Sequence, residues 1–226
     1  APAQSSAVVR YLESDAIDIG GADLVFGTAG YAHVAGIVDS YAFPGLDSGL
    51  VTNAGYGMRY VAKVDLTTRK PAWVAVVGAP SKDANRTVTQ SFGEDEARGL
   101  AVSGNGDALL VAHDANTTYP QPGGPYGVAS AKHVFRVNPS GQVSRLPAAL
   151  DPAIRRVGAI AIDPTGNIYL TGSAGSGLLT TVNAPFPSSS VAAGCIAPFV
   201  LKLDPSGKSI LYSTYVGLAG TQGERC

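Results

Sequence analysis

Apolar residues in this chain come in short runs, some alternating and some continuous, and each run stops at a cluster of Gly, Pro, Asn or Asp. That pattern predicts many short β-strands joined by turns instead of long helices. One run recurs. The motif V-x-[KR]-[VL]-[DN] is carried by Val61, Lys63, Val64 and Asp65, then by Val134, Arg136, Val137 and Asn138, and again by Val200, Lys202, Leu203 and Asp204. From Lys63 to Arg136 is 73 residues and from Arg136 to Lys202 is 66, a spacing expected of units that differ in one loop.

Other segments recur around this motif. Upstream lie "ADLVFGT" from Ala22, "GDALLVAH" from Gly106 and "GNIYLTGS" from Gly166, read as one equivalent strand. In the second and third units the apolar segments "GLAVS" (Gly99 to Ser103) and "AIAID" (Ala159 to Asp163) precede it as its neighbouring strand. A long connection then holds an aromatic-proline step in every unit: Phe43-Pro44, Tyr119-Pro120 and Phe186-Pro187. A fourth strand follows the motif, with Lys63 to Gly78 and Lys202 to Gly217 both 15 residues apart. Turns such as "DPTGN", "NPSGQ" and "DPSGK" join the short connections, with Pro and Gly at the corners that a tight turn demands.

Four-stranded antiparallel units that read as apolar on both faces, repeated in tandem, predict β-propeller blades. The expected fold is all-β: about three blades (15–78, 97–150 and 157–217), one leading outer strand (7–14) and the approach to a further blade (218–226). Because rings need at least about four blades, the expectation is one segment of a larger ring of roughly six to eight, completed by the rest of its own polypeptide or by another protein chain. The third unit, "IAIDPTGNIYLTGS", "APFP" and "FVLKLDPSGKSILYSTYVG", resembles the SBBP repeat, a seven-bladed β-propeller repeat of secreted or surface bacterial proteins. This resemblance implies a propeller outside the cytoplasm and adds no common chemistry.

Composition narrows the function. Sixteen basic and seventeen acidic side chains, with no like-charge run, exclude the basic footprint of a nucleic-acid binder. Apolar stretches such as "AWVAVVGA" fall far short of the roughly 20 residues of a membrane span. The small polar start "APAQSSA" suits a mature secreted terminus. Cys195 and Cys226 leave two alternatives open, one disulfide or a free thiol at Cys226. Asn85-Arg86-Thr87 and Asn116-Thr117-Thr118 are glycosylation acceptors only in a host that uses them.

No nucleophile elbow, phosphate loop, dinucleotide fingerprint or zinc-protease motif is present, so neither a cofactor nor a metal is expected. The Asp/Asn-Pro-x-Gly turns lack the alternating oxygen ligands of a calcium loop. His33, His113 and His133 fall at different places in their units, respectively a long loop, the end of a second strand and the start of a third, and assemble no site. The binding surface expected is the face shared by the long connections, 29–58, 114–132 and 173–197. Tyr31, Tyr41, Tyr56 and Tyr126 are its candidate contacts, while Phe43, Tyr119 and Phe186, repeated in every unit, are expected to pin the loops. The leading expectation is a non-catalytic extracellular scaffold or interaction module; the alternative is a carbohydrate-binding or hydrolytic propeller with a glycan on that face.

Overall fold

Twelve strands account for the described secondary structure, and each group of four consecutive strands forms one antiparallel sheet in chain order. The computed structural model describes residues 23–27, 30–38, 58–77, 99–113, 132–189 and 196–216. The first sheet holds β1 (Asp23–Phe26), β2 (Tyr31–Val38), β3 (Met58–Asp65) and β4 (Lys70–Val77). The second holds β5 (Leu100–Val102), β6 (Ala108–His113), β7 (Lys132–Val137) and β8 (Val143–Ala149). The third holds β9 (Ile154–Ile162), β10 (Ile168–Ala174), β11 (Ala197–Leu203) and β12 (Ile210–Tyr215). Among the described residues there is no helix, and so none long and apolar enough to cross a membrane.

The motif strands predicted from sequence are β3, β7 and β11, the third strand of each sheet. One assignment needs correction. "ADLVFGT" is not the second strand of its sheet; its Asp23–Phe26 is the first, paired with β2 through Phe26 opposite Ala32. The true second strand, Tyr31–Val38, was read as loop because a glycine and a histidine interrupt its apolar pattern. Its turn matches the others: Gly30, Gly106 and Gly166 adopt φ of 90°, 88° and 88° just before the second strand or one residue upstream of it. The predicted segments 7–14 and 218–226 lie outside the described residues.

Apolar continuity in the second sheet has a packing cause. Successive strand residues point to opposite faces, and here both faces are covered. Leu100, Leu110, Phe135 and Val137 join Val61, Trp73, Ala75 and Val77 of the first sheet in one core. Their chain neighbours Ala101, Leu109, Val111 and Val134 join Ile160, Ile168, Leu170 and Leu201 of the third sheet in another. Each fully buried Val, Leu, Ile or Phe contributes about 1.5–3 kcal/mol, so these two layers dominate the folding energy of the described region. The first strands sit side by side, β5 against both β1 and β9.

Turns lock the layers together at their rim. Trp73 on β4 donates its Nε1–H to the Pro139 carbonyl in the β7–β8 turn at 2.9 Å. Arg136 on β7 donates Nη2–H to the Pro205 carbonyl in the β11–β12 turn at 2.8 Å. Beside each proline a glycine rests on the preceding sheet. Gly141 (φ 84°) lies where a Cβ would meet Trp73 Cγ at 3.1 Å, and Gly207 (φ 66°) where it would meet Leu146 Cβ at 2.7 Å. Both the positive φ and the close approach exclude a side chain. Gly207→Ala is therefore expected to lower stability by about 1–3 kcal/mol, read as a lower urea midpoint with an unchanged slope, whereas Gly104→Ala, with open space around it, serves as the neutral control.

Candidate functional site

The recurring cations of the third strands meet different partners. Lys63 Nζ lies 4.4 Å from the centre of the Tyr31 ring. Arg136 Nε is 3.6 Å from Asp107 Oδ2, and Lys202 Nζ is 3.8 Å from Asp163 Oδ2 while sitting 5.0 Å from the Tyr169 ring centre. Register explains the recurrence: Lys63 pairs with His33, Arg136 with Leu109 and Lys202 with Tyr169 across the second and third strands. The ammonium groups of Lys63 and Lys202 are drawn to aromatic faces as well as to carboxylates. These cations tie turns to strands, and ligand chemistry is not needed to account for them.

A cleft of about 630 Å³ opens between the β5–β6 and β9–β10 turns, lined by Ser103, Asn105, Asp107, Arg136, Asp163 and Thr165 among others. Its carboxylates are already engaged. Asp163 Oδ1 accepts hydrogen bonds from Thr165 N at 2.9 Å, Thr165 Oγ1 at 2.7 Å and Asn167 N at 2.9 Å. Its Oδ2 accepts from Asn167 Nδ2 at 2.8 Å and from the Tyr169 hydroxyl at 3.1 Å. These donors, led by the Asn167 side chain, hold the Asp163 carboxyl well below the usual carboxylate range. Such a group is a turn fastener, not a base. Among the described residues no three His, Cys, Asp or Glu side chains cluster to hold a metal.

The expected binding face is only partly within the described residues. Tyr41, Tyr56 and Tyr126, and with them Phe43, Tyr119, Cys195 and Cys226, lie outside the described residues. Tyr31 does not belong to a long connection: it opens β2, at the short-turn end of the sheet, half-buried beneath Lys63. The described part of the third connection forms a strap along the outer edge of β12. Thr181 N–H donates to the Ser213 carbonyl at 2.9 Å, and Tyr215 N–H donates to the Phe186 carbonyl at 3.2 Å. Phe186 packs half-buried against the core, and the Tyr215 hydroxyl accepts from Leu178 N at 3.0 Å while donating to the Gly175 carbonyl at 2.7 Å. The strap leaves Leu179 and Val182 73% and 99% exposed.

The two outer sheets carry exposed strand residues, on the first sheet only at β1, since Ala32, Tyr60, Ala62 and Val74 on the same face are buried. Leu24 and Phe26 of β1 stand six and four residues before the turn glycine, as do Leu100 and Val102 of β5 or Ile160 and Ile162 of β9, counted back from Gly30, Gly106 and Gly166. Leu100 and Ile160 are 6% and 7% exposed, but Leu24 and Phe26 are 57% and 72% exposed. On the third sheet, the far face carries Ala161, Tyr169, Thr171 and Val200, all exposed or half-buried. At the same registers the second sheet buries Ala101, Leu109, Val111 and Val134. An arc of three units implies unpaired outer faces, but the contact residues expected from sequence lie on the loops and include none of these strand positions. No family model matches the chain, and no curated protein matches it.

Two buried polar groups sit at the first joint. Arg59 reaches the Val111 carbonyl at 3.4 Å and Asp23 at 3.6 Å, and Asp23 also accepts from Gly99 N at 2.8 Å. Burial pulls the Arg59 guanidinium down to about 10, against the pull of Asp23. His33, read from sequence as a loop residue, is fully buried in β2 beside Trp73, with neither ring nitrogen hydrogen-bonded. Burial first and the Lys63 charge second push its pKa below the ordinary 6.5. The folded state thus binds fewer protons than the unfolded one, so stability is constant above the unfolded pKa and declines as pH falls below about 6.5. Urea midpoints between pH 7.5 and 4.5 are expected to fall more steeply for the wild type than for His33→Leu.

Proposed function

We propose that this chain is a β-propeller segment acting as a non-catalytic scaffold or interaction module in a larger extracellular or cell-surface protein or assembly. The observation that carries this reading is the stacking of the second sheet between two neighbours, beside exposed strand residues on the outer two; on the first sheet that exposure is confined to β1, since Tyr60, Ala62 and Val74 of the same face are buried. The second sheet buries both of its faces between neighbours, while the equivalent positions Leu24 and Phe26 at one end, and Ala161 and Thr171 at the other, are left exposed. Sheets stacked through adjoining first strands are the geometry of blades around an axis. An arc of three such sheets has two faces to cover, and solvent-exposed apolar patches of this kind mark interaction surfaces.

Several observations support the absence of chemistry. The cleft carboxylates are consumed by their own turns, and the recurring cations pair with neighbouring strands and turns. The extracellular setting rests on the SBBP resemblance. The partner is the remainder of the polypeptide or another protein chain, in either case one presenting a sheet face.

The reading is tested by placing a charge on the open face. Phe26→Asp is expected to change the folding free energy by no more than about 0.5 kcal/mol and to lower binding of a hydrophobic dye by the full chain. A loss on the order of 3–5 kcal/mol, as for a buried aromatic, would show that the face is closed within the chain and that the segment reading is wrong.

A further inference from the structure

We infer that the open face of the third sheet is a docking surface for a four-stranded unit bearing an Asx-Pro-Ser-Gly turn between its third and fourth strands. The inference rests on the propeller reading above and specifies its partner. Both joints within the described residues are built alike. In each, the proline carbonyl of such a turn accepts one hydrogen bond from the preceding sheet, from Trp73 in one case and Arg136 in the other. In each, the turn glycine rests on a side chain of the preceding fourth strand, Trp73 under Gly141 and Leu146 under Gly207.

The third sheet carries the receiving half of this joint with nothing seated on it among the described residues. Tyr212 stands opposite Lys202 on β12 as Trp73 stands opposite Lys63 on β4. Its ring is half-buried, and none of the described residues hydrogen-bonds its hydroxyl. Lys202, held by Asp163 as Arg136 is held by Asp107, occupies the other donor position. An ammonium has three donors, so the ion pair leaves protons for a carbonyl. The face therefore offers a donor at each of the two positions from which the filled joints donate.

A second copy of this chain does not supply the matching half. Its turns at Pro139 and Pro205 are already seated on its own sheets. The corresponding turn of its first sheet, Asp65 to Lys70, contains neither proline nor glycine; Asp65 Oδ1 closes it through Thr67 N and Thr68 N, and Arg69 takes the positive φ of 59°. Side chains then stand where a bare glycine must approach. The fitting partner is a further unit with its own Asx-Pro-Ser-Gly turn.

Transplanting that turn tests the proposal. The variant Leu66→Pro/Thr67→Ser/Thr68→Gly/Arg69→Lys/Lys70→Ser gives the first sheet the sequence found at Asp204–Ser209, at solvent-exposed positions. Sedimentation of the full chain is expected to show head-to-tail association at least about tenfold tighter than wild type, reversed when Tyr212→Ala is added. Wild-type-like behaviour of the variant, tightening that survives Tyr212→Ala, or equally tight association of the unmodified chain through a second copy would each overturn the inference. Leu66→Pro removes an N–H that donates to the Gly30 carbonyl; should that variant lose cooperative unfolding, Thr68→Gly/Arg69→Lys keeps this bond and is read in the same way. If the transplant fails while Phe26→Asp leaves stability intact, the turn-specific docking is wrong and the open-face reading stands.

Discussion

The structure depends on a single constraint: a sheet that is apolar on both faces needs a neighbour on each side. The second sheet meets it, with Leu109 and Leu110, or Val134 and Phe135, delivering adjacent residues to two different cores. Because strand side chains alternate, a continuous apolar run has no solvent-facing solution, and stacking is the only arrangement that removes both faces from water. The outer two sheets inherit the same composition with only one neighbour described. Their exposed residues are thus a direct result of the rule that organises the centre.

Stacking alone does not fix the angle or height at which sheets meet. That is set at the rim, where Trp73 and Arg136 each hold the carbonyl of a proline two residues before a glycine of the next sheet. The proline fixes φ and the glycine removes the side chain, so a rigid, bare backbone corner can sit directly on a neighbour. A hydrogen bond is directional where hydrophobic burial is not. The turns therefore define the register of layers whose cores supply most of the energy.

Much of this was legible in the sequence because the repeated features are local. The third strands and the Asx-Pro-Ser-Gly turns fall within a few residues of where pattern and turn chemistry placed them. The first sheet was misread for a physical reason: its opening strand ends at Gly27, and its second strand carries His33, a residue that reads as polar but is buried between Trp73 and Gly27. Tyr31 was taken for a contact residue because its partner Lys63 lies 32 positions along the chain and only register brings them together. That an arc of three units leaves outer faces unpaired follows from the repeat count, but which residues are exposed there depends on the neighbours, and no local pattern records that.

The strap from Leu178 to Phe186 has a consequence for how such a molecule is able to grow. By occupying backbone groups of Ser213 and Tyr215 on the free side of β12, it closes part of the rim where an extra strand would hydrogen-bond, the route by which exposed sheet edges zip into ribbons. The far face of the third sheet stays exposed while this edge is shut. Addition is thereby steered to face-on stacking instead of lateral zipping, which has no natural end.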